Sequence, residues 1–199
     1  MAEREKARIP KQQRSRQTRS RIMGAGMKLF CEKGFHATNS NEIAAEAGIP
    51  VGSFYAYFDD KKHLFLEVLT GYLDQLKSAA ERASDMAYRS GEEFLHALIK
   101  AMLESHRISP KFHRETTIMR LSDPDIGEVM AGYQKVVLQV IAGSLANGSG
   151  IKVEDPEAAA FLILGALERT VHGIVFSETD IPENRLVRET TAMVLKYLS

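Results

Sequence analysis

Apolar residues recur at helical spacing along nearly the whole chain, and no stretch sustains the alternating pattern of a half-buried strand. Ile22, Ala25, Gly26, Leu29 and Phe30 fall at i, i+3, i+4, i+7 and i+8, the stripe of an amphipathic helix, and Gly34 after Lys33 supplies its stop. Asn39-Ser40-Asn41-Glu42 announces a second, shorter helix, with Asn39 as cap and Glu42 reaching back to the cap amide. That helix turns Ile43, Ala44 and Ala47 inward and stops at Gly48. Ile49-Pro50 makes a turn into a third helix from Val51 to about Phe58, and Asp59-Asp60 caps a fourth from Lys61. Further segments follow in the same style. Ser90 caps one that ends at Ser109-Pro110, Phe112 to Leu121 forms another, and Asp123-Pro124 opens a longer one closed by Asn147-Gly148-Ser149-Gly150. Asp155-Pro156 opens a helix to about Ser177, and Ile181-Pro182 precedes the last. The fold class is therefore all-α, with a small N-terminal three-helix unit and a larger C-terminal helical domain.

Charge separates these parts. The 199 residues carry 26 Lys+Arg and 26 Asp+Glu, a formal net charge of zero. Residues 1–62 hold 12 basic and 7 acidic residues, and the remainder holds 14 and 19. Within the first 21 residues, Arg4, Lys6, Arg8, Lys11, Arg14, Arg16, Arg19 and Arg21 face only Glu3 and Glu5. Such asymmetry points to nucleic acid or a membrane surface. The longest apolar runs, such as Ala158 to Ala166, fall short of the roughly 20 residues of a membrane span, so no membrane partner is expected. No signal-peptide pattern opens the chain, and the lone Cys31 fits a reducing compartment; both predict a cytoplasmic protein.

Two short helices joined by a Gly-containing turn form the helix-turn-helix layout, whose second helix enters the major groove. With Phe54 and Phe58 assigned to the core, Val51, Gly52, Ser53, Tyr55, Ala56 and Tyr57 remain to face outward. Gly52, Ser53 and Ala56 are small enough for close approach to base edges, and Ser and Tyr hydroxyls suit phosphate or base contacts. Lys61 and Lys62 oppose the helix dipole at the start of the fourth helix, a placement that a phosphate would relieve.

The segments Arg21 to Phe30, Lys33-Gly34-Phe35, Glu42 to Phe58 and Lys61-Lys62-His63-Leu64 resemble the DNA-binding domain of the TetR (tetracycline repressor) family. The resemblance covers about residues 18–66. It implies a basic flexible arm at 1–17, a DNA-binding domain at 18–66 and an effector-binding and dimerisation domain at 67–199. It further implies a homodimeric regulator, usually a repressor, that binds a palindromic operator in double-stranded DNA and is released by a small-molecule effector. Position by position, Ser53, Tyr55, Tyr57 and Lys61 become the DNA-contacting set, and Asn39 and Ser40 lie where a helix start meets a phosphate. Where many members carry a basic residue, Val51 suggests an apolar contact, such as to a thymine methyl. Arg21 is the arm residue best placed to track phosphates or enter the minor groove.

In family members the last two helices build the dimer's four-helix bundle, which makes Leu162, Gly165, Arg169, Leu186, Met193 and Tyr197 the interface candidates. Phe94, Met102, His106, Met119, Met130, Tyr133 and Phe176 are the effector-binding candidates, since methionines and aromatics suit an adaptable apolar pocket. Glu168 and His172 share a helix face at i, i+4 and could ligate a metal, but the sequence shows no third ligand beside them, so neither metal nor cofactor is expected. The absence of nucleophile elbow, HExxH, P-loop and Rossmann patterns argues against an enzyme. A regulator answering only to a protein partner or to DNA remains an alternative.

Overall fold

A computed structural model describes residues 11–84, 91–147 and 153–199. Among them are nine helices: α1 (Lys11–Lys33), α2 (Ser40–Glu46), α3 (Val51–Phe54), α4 (Lys61–Ser84), α5 (Gly91–Ile108), α6 (Pro110–Ser122), α7 (Pro124–Asn147), α8 (Pro156–Val175) and α9 (Glu183–Leu198). They divide into two compact units, meeting in the chain between Leu69 and Thr70 within α4. Arg4, Lys6 and Arg8 of the basic arm, the Ser90 cap and the Gly148-Ser149-Gly150 stop lie outside the described residues.

In the N-terminal unit the apolar stripe of α1 is buried as its spacing requires, with Ile22, Ala25, Leu29 and Phe30 in the core. Phe30, Phe35 and Phe65 meet edge-on or tilted, with ring centroids 5.0–6.0 Å apart. A Cβ on Gly26 would come within 2.7 Å of Leu64, so glycine sets the close approach of α1 and α4. α1 begins at Lys11. Residues 11–17, expected to belong to a flexible arm, are helical. They are Lys, Gln, Arg and Ser without a Gly or Pro, good helix formers with no apolar stripe to announce them. α3 is shorter than expected: beyond Phe54 the path tightens through a Tyr57 amide bond to the Phe54 carbonyl at 2.9 Å and reaches Phe58 as a turn.

In the C-terminal unit α8 is the central helix. Its Ala159, Ala160, Ile163, Leu167 and Val171 pack with Leu95, Ile99 and Leu103 of α5, Leu145 of α7 and Val194 of α9. Asp155 caps it by accepting bonds from the Glu157 and Ala158 amides at 3.1 and 3.0 Å. The Thr170 and Thr190 hydroxyls, 2.7 Å apart and buried, pin α8 to α9. Asp123 ends α6 and accepts from the Asp125 and Ile126 amides, capping α7. α7 and α8 are, by length and composition, apolar enough to cross a membrane, with 18-residue windows of mean hydropathy 1.2 and 1.5. The expectation from uninterrupted apolar runs missed this, because scattered Gly, Gln and Glu break the runs without lowering the average much. Ala159, Ala160, Ile163, Leu167 and Val171 of α8 fill the core, while Val137 and Ile141 of α7 line a cavity.

Candidate functional site

The N-terminal unit presents a helix-turn-helix. Asn39 Oδ1 accepts from the Glu42 amide at 3.0 Å, the side-chain cap its position predicts. Lys33 and the Asn39 amide hold the Glu42 carboxyl below its usual range. Lys33–Glu42 and Lys28–Glu46 ion pairs, at 2.8 and 2.7 Å, brace α2 against α1, and Glu46 raises the Lys28 pKa. Gly48 adopts φ +63° in the turn, the left-handed conformation that favours glycine. Phe54 and Phe58 are fully buried, which fixes the roll of α3.

That roll exposes Val51, Gly52, Tyr55 and Ala56 and leaves Ser53 and Tyr57 half-buried. A Cβ on Gly52 would meet nothing within 4 Å, so no packing inside the chain explains a glycine there. Asn39 is exposed and Ser40 half-buried at the start of α2.

Two other expected DNA contacts have different work in the structure. Lys61 Nζ donates to the carbonyls of Thr38 at 2.7 Å, Phe35 at 2.8 Å and His36 at 3.3 Å, and lies 4.5 Å from the centroid of the Phe35 ring. These three acceptors use all three ammonium protons, and they satisfy carbonyls between α1 and α2 rather than a phosphate. The Arg21 guanidinium bonds the Ala47 carbonyl and, at 2.9 Å, that of Gly48. It closes the C-terminal end of α2 instead of extending from an arm. Sequence spacing could not separate these internal acceptors from an external phosphate, because either attracts a cation.

The C-terminal unit holds a partly open cavity of about 950 Å³. Phe94, Met102, His106, Met130 and Tyr133 of the expected set line it. Met119 does not: it is buried in the core of α6. Phe176 also stands off the wall, packed against His113 and His172 with centroids 5.8 and 5.3 Å away. Leu98, Val137, Leu164, Arg120, Glu168 and His172 complete much of the lining. Burial raises the Tyr133 hydroxyl to about 12, and raises the Glu168 carboxyl against the opposing effect of Arg120. Burial lowers His106 to about 4, His113 to about 3 and His172 in the same direction, leaving three neutral imidazoles at pH 7.

On the outside of α8 and α9, Leu162, Met193 and Tyr197 are 60%, 53% and 48% exposed, a large apolar area without cover within the chain. Gly165 is open there, Leu186 is half-buried, and exposed Arg169 pairs with Glu178 at 2.5 Å.

Residues 22–68 match the family model for bacterial regulatory proteins of the tetR family, and residues 92–198 match that for the tetracyclin repressor-like C-terminal domain. The chain belongs to the TetR family. As a TetR-family helix-turn-helix protein it is a DNA-binding transcriptional regulator and not an enzyme. The uncharacterized HTH-type regulator YhgD of Bacillus subtilis is 28% identical over 149 residues, covering 72% of this chain and 76% of YhgD. A transcriptional regulator from Pseudomonas aeruginosa shares the TetR fold with a TM-score of 0.78 at 20% identity, over 96% of this chain and 92% of that one. The fatty acid degradation regulator FadR from Bacillus halodurans shares it with a TM-score of 0.68 at 20% identity, over 89% and 94%.

Proposed function

We propose that this regulator is a cytoplasmic repressor that binds a palindromic operator as a homodimer and is released by a small, largely apolar effector. The cavity of about 950 Å³ carries the reading, since it is near the upper end of the size of small-molecule sites and a fully packed core would need no such volume. Its aliphatic and methionine walls suit a chain or ring system, and Arg120, Tyr133 and Glu168 offer a few polar anchors. A fatty acid has this chemistry, and the Bacillus halodurans neighbour is a regulator of fatty acid degradation. The exposed apolar residues of α8 and α9 support self-association through Leu162, Gly165, Met193 and Tyr197, with Arg169 and Leu186 at the margin.

On DNA, Val51, Gly52 and Ser53 face the base edges, while Tyr55, Tyr57, Asn39 and Ser40 hold phosphates. An effector that prefers dimers whose recognition helices are spaced wrongly for successive major grooves, about 34–36 Å apart, releases the operator by population shift. The test is fluorescence anisotropy on a duplex selected from a random pool, with a long-chain fatty acid added. Affinity should fall on addition, and Val137→Trp, which fills the cavity, should keep DNA binding and lose the response. A response undiminished by Val137→Trp would place effector binding elsewhere.

A further inference from the structure

Three imidazoles from three helices meet on one wall of the cavity. His106 of α5, His113 of α6 and His172 of α8 each offer a ring nitrogen, and the three nitrogens lie within 4.8 Å of one another. We propose that His106, His113 and His172 bind one divalent transition metal of the zinc class through three imidazole nitrogens, with a fourth coordination position open to the cavity.

The hydrogen bonds around the cluster aim the nitrogens inward. His106 Nδ1 lies 2.7 Å from the Met102 carbonyl, which only accepts, so that nitrogen carries the proton and Nε2 is left bare. His113 Nδ1 is 2.9 Å from the Tyr72 hydroxyl, and its Nε2 is 2.9 Å from His172 Nε2. A ring held by a carbonyl or hydroxyl on one nitrogen, with the other turned into the cluster, is the outer-shell arrangement that orients metal-bound histidine. Zinc–nitrogen bonds of about 2.0–2.1 Å set tetrahedral ligands roughly 3.3 Å apart, so His113 and His172 need only separate slightly while His106 draws in. The His113–His172 contact requires a proton on one Nε2. On binding, that imidazole shifts its proton to Nδ1 and releases none, since each ring stays neutral. Three nitrogen donors favour zinc, cobalt, nickel or copper over calcium and magnesium, which take oxygen.

The site shares a wall of the cavity but does not rest on the effector reading, and its test uses neither DNA nor effector. Chelator-stripped full-length protein is titrated with Zn²⁺ by calorimetry and with Co²⁺ by visible absorption. One metal per chain is expected, with the intense visible bands of tetrahedral Co²⁺. His106→Ala and His172→Ala should abolish stoichiometric uptake, with circular dichroism showing that the helices remain. Tyr72→Phe keeps the buried ring and should weaken binding about 10- to 100-fold through the lost hydroxyl. His96→Ala, at an exposed position away from the cluster, should change nothing. Uptake that is absent, that survives His172→Ala, or that falls as much in His96→Ala overturns the site and leaves the three rings as a hydrogen-bonded stack.

Discussion

Arg21 Nη2 donates to the Gly48 carbonyl at 2.9 Å, so a side chain of the first helix closes the turn that aims the recognition helix. Lys61 does the equivalent for the segment between α1 and α2 through the Phe35, His36 and Thr38 carbonyls. Arg21→Ala and Lys61→Met should each destabilise the N-terminal unit by about 1–2 kcal/mol, the scale of hydrogen bonds from charged groups near a surface. DNA affinity should fall on every duplex, with an unchanged dependence on salt. A lost phosphate contact would instead lower the slope of log affinity against log salt by about 0.9. Urea denaturation and anisotropy over a salt series measure the two quantities.

Gly52→Ala should move stability and DNA binding in opposite directions. Its Cβ meets open space, and alanine is favoured over glycine in a helix by up to about 1 kcal/mol. The same methyl stands on the face assigned to base edges, so operator affinity should drop. Unchanged affinity would show that α3 does not approach the bases closely at this point.

Glu168 gives a pH dependence of defined sign. Its folded pKa is raised by burial, so the folded state holds the proton more tightly than the unfolded chain. Its contribution is therefore most favourable below the ordinary carboxylate range and is lost as pH rises through the folded pKa. Glu168→Gln cannot ionise, and its stability relative to the parent should climb with pH across that window and then level off. Thermal melts of both proteins in metal-free buffer check this, because groups common to the pair cancel. A difference independent of pH would mean that Glu168 is well solvated.

Leu162→Asp combined with Met193→Asp should yield a folded monomer. Both side chains are more than half exposed, so the charges cost the isolated chain little while opposing an apolar interface. Analytical ultracentrifugation reads the mass, and circular dichroism the helix content. A dimer surviving both changes would move the interface off α8 and α9.

The helices and the buried side of the DNA-binding unit were legible from the sequence because periodicity, caps and glycine stops are local signals. Phe54 and Phe58 lie inside and Val51, Gly52, Tyr55 and Ala56 lie outside as their spacing requires. The start of α1 was not legible, since a polar helix leaves no apolar stripe. The tasks of Arg21 and Lys61 were hidden because their carbonyl partners lie 23 to 27 residues away in the chain. The histidine cluster was out of reach for the same reason. Glu168 and His172 could be placed on one face of α8, but His106 and His113 converge on it only through the packing of α5 and α6.

No side of α8 is spare. Leu167 and Val171 fill the core, Glu168 and His172 face the cavity, and Leu162, Gly165 and Arg169 look outward. Inserting a single residue before Gly165 would turn the remainder of the helix by about 100° and exchange these assignments all at once. Ligand preference in a chain built this way is open to revision by point substitution along α8 and closed to revision by insertion or deletion within it.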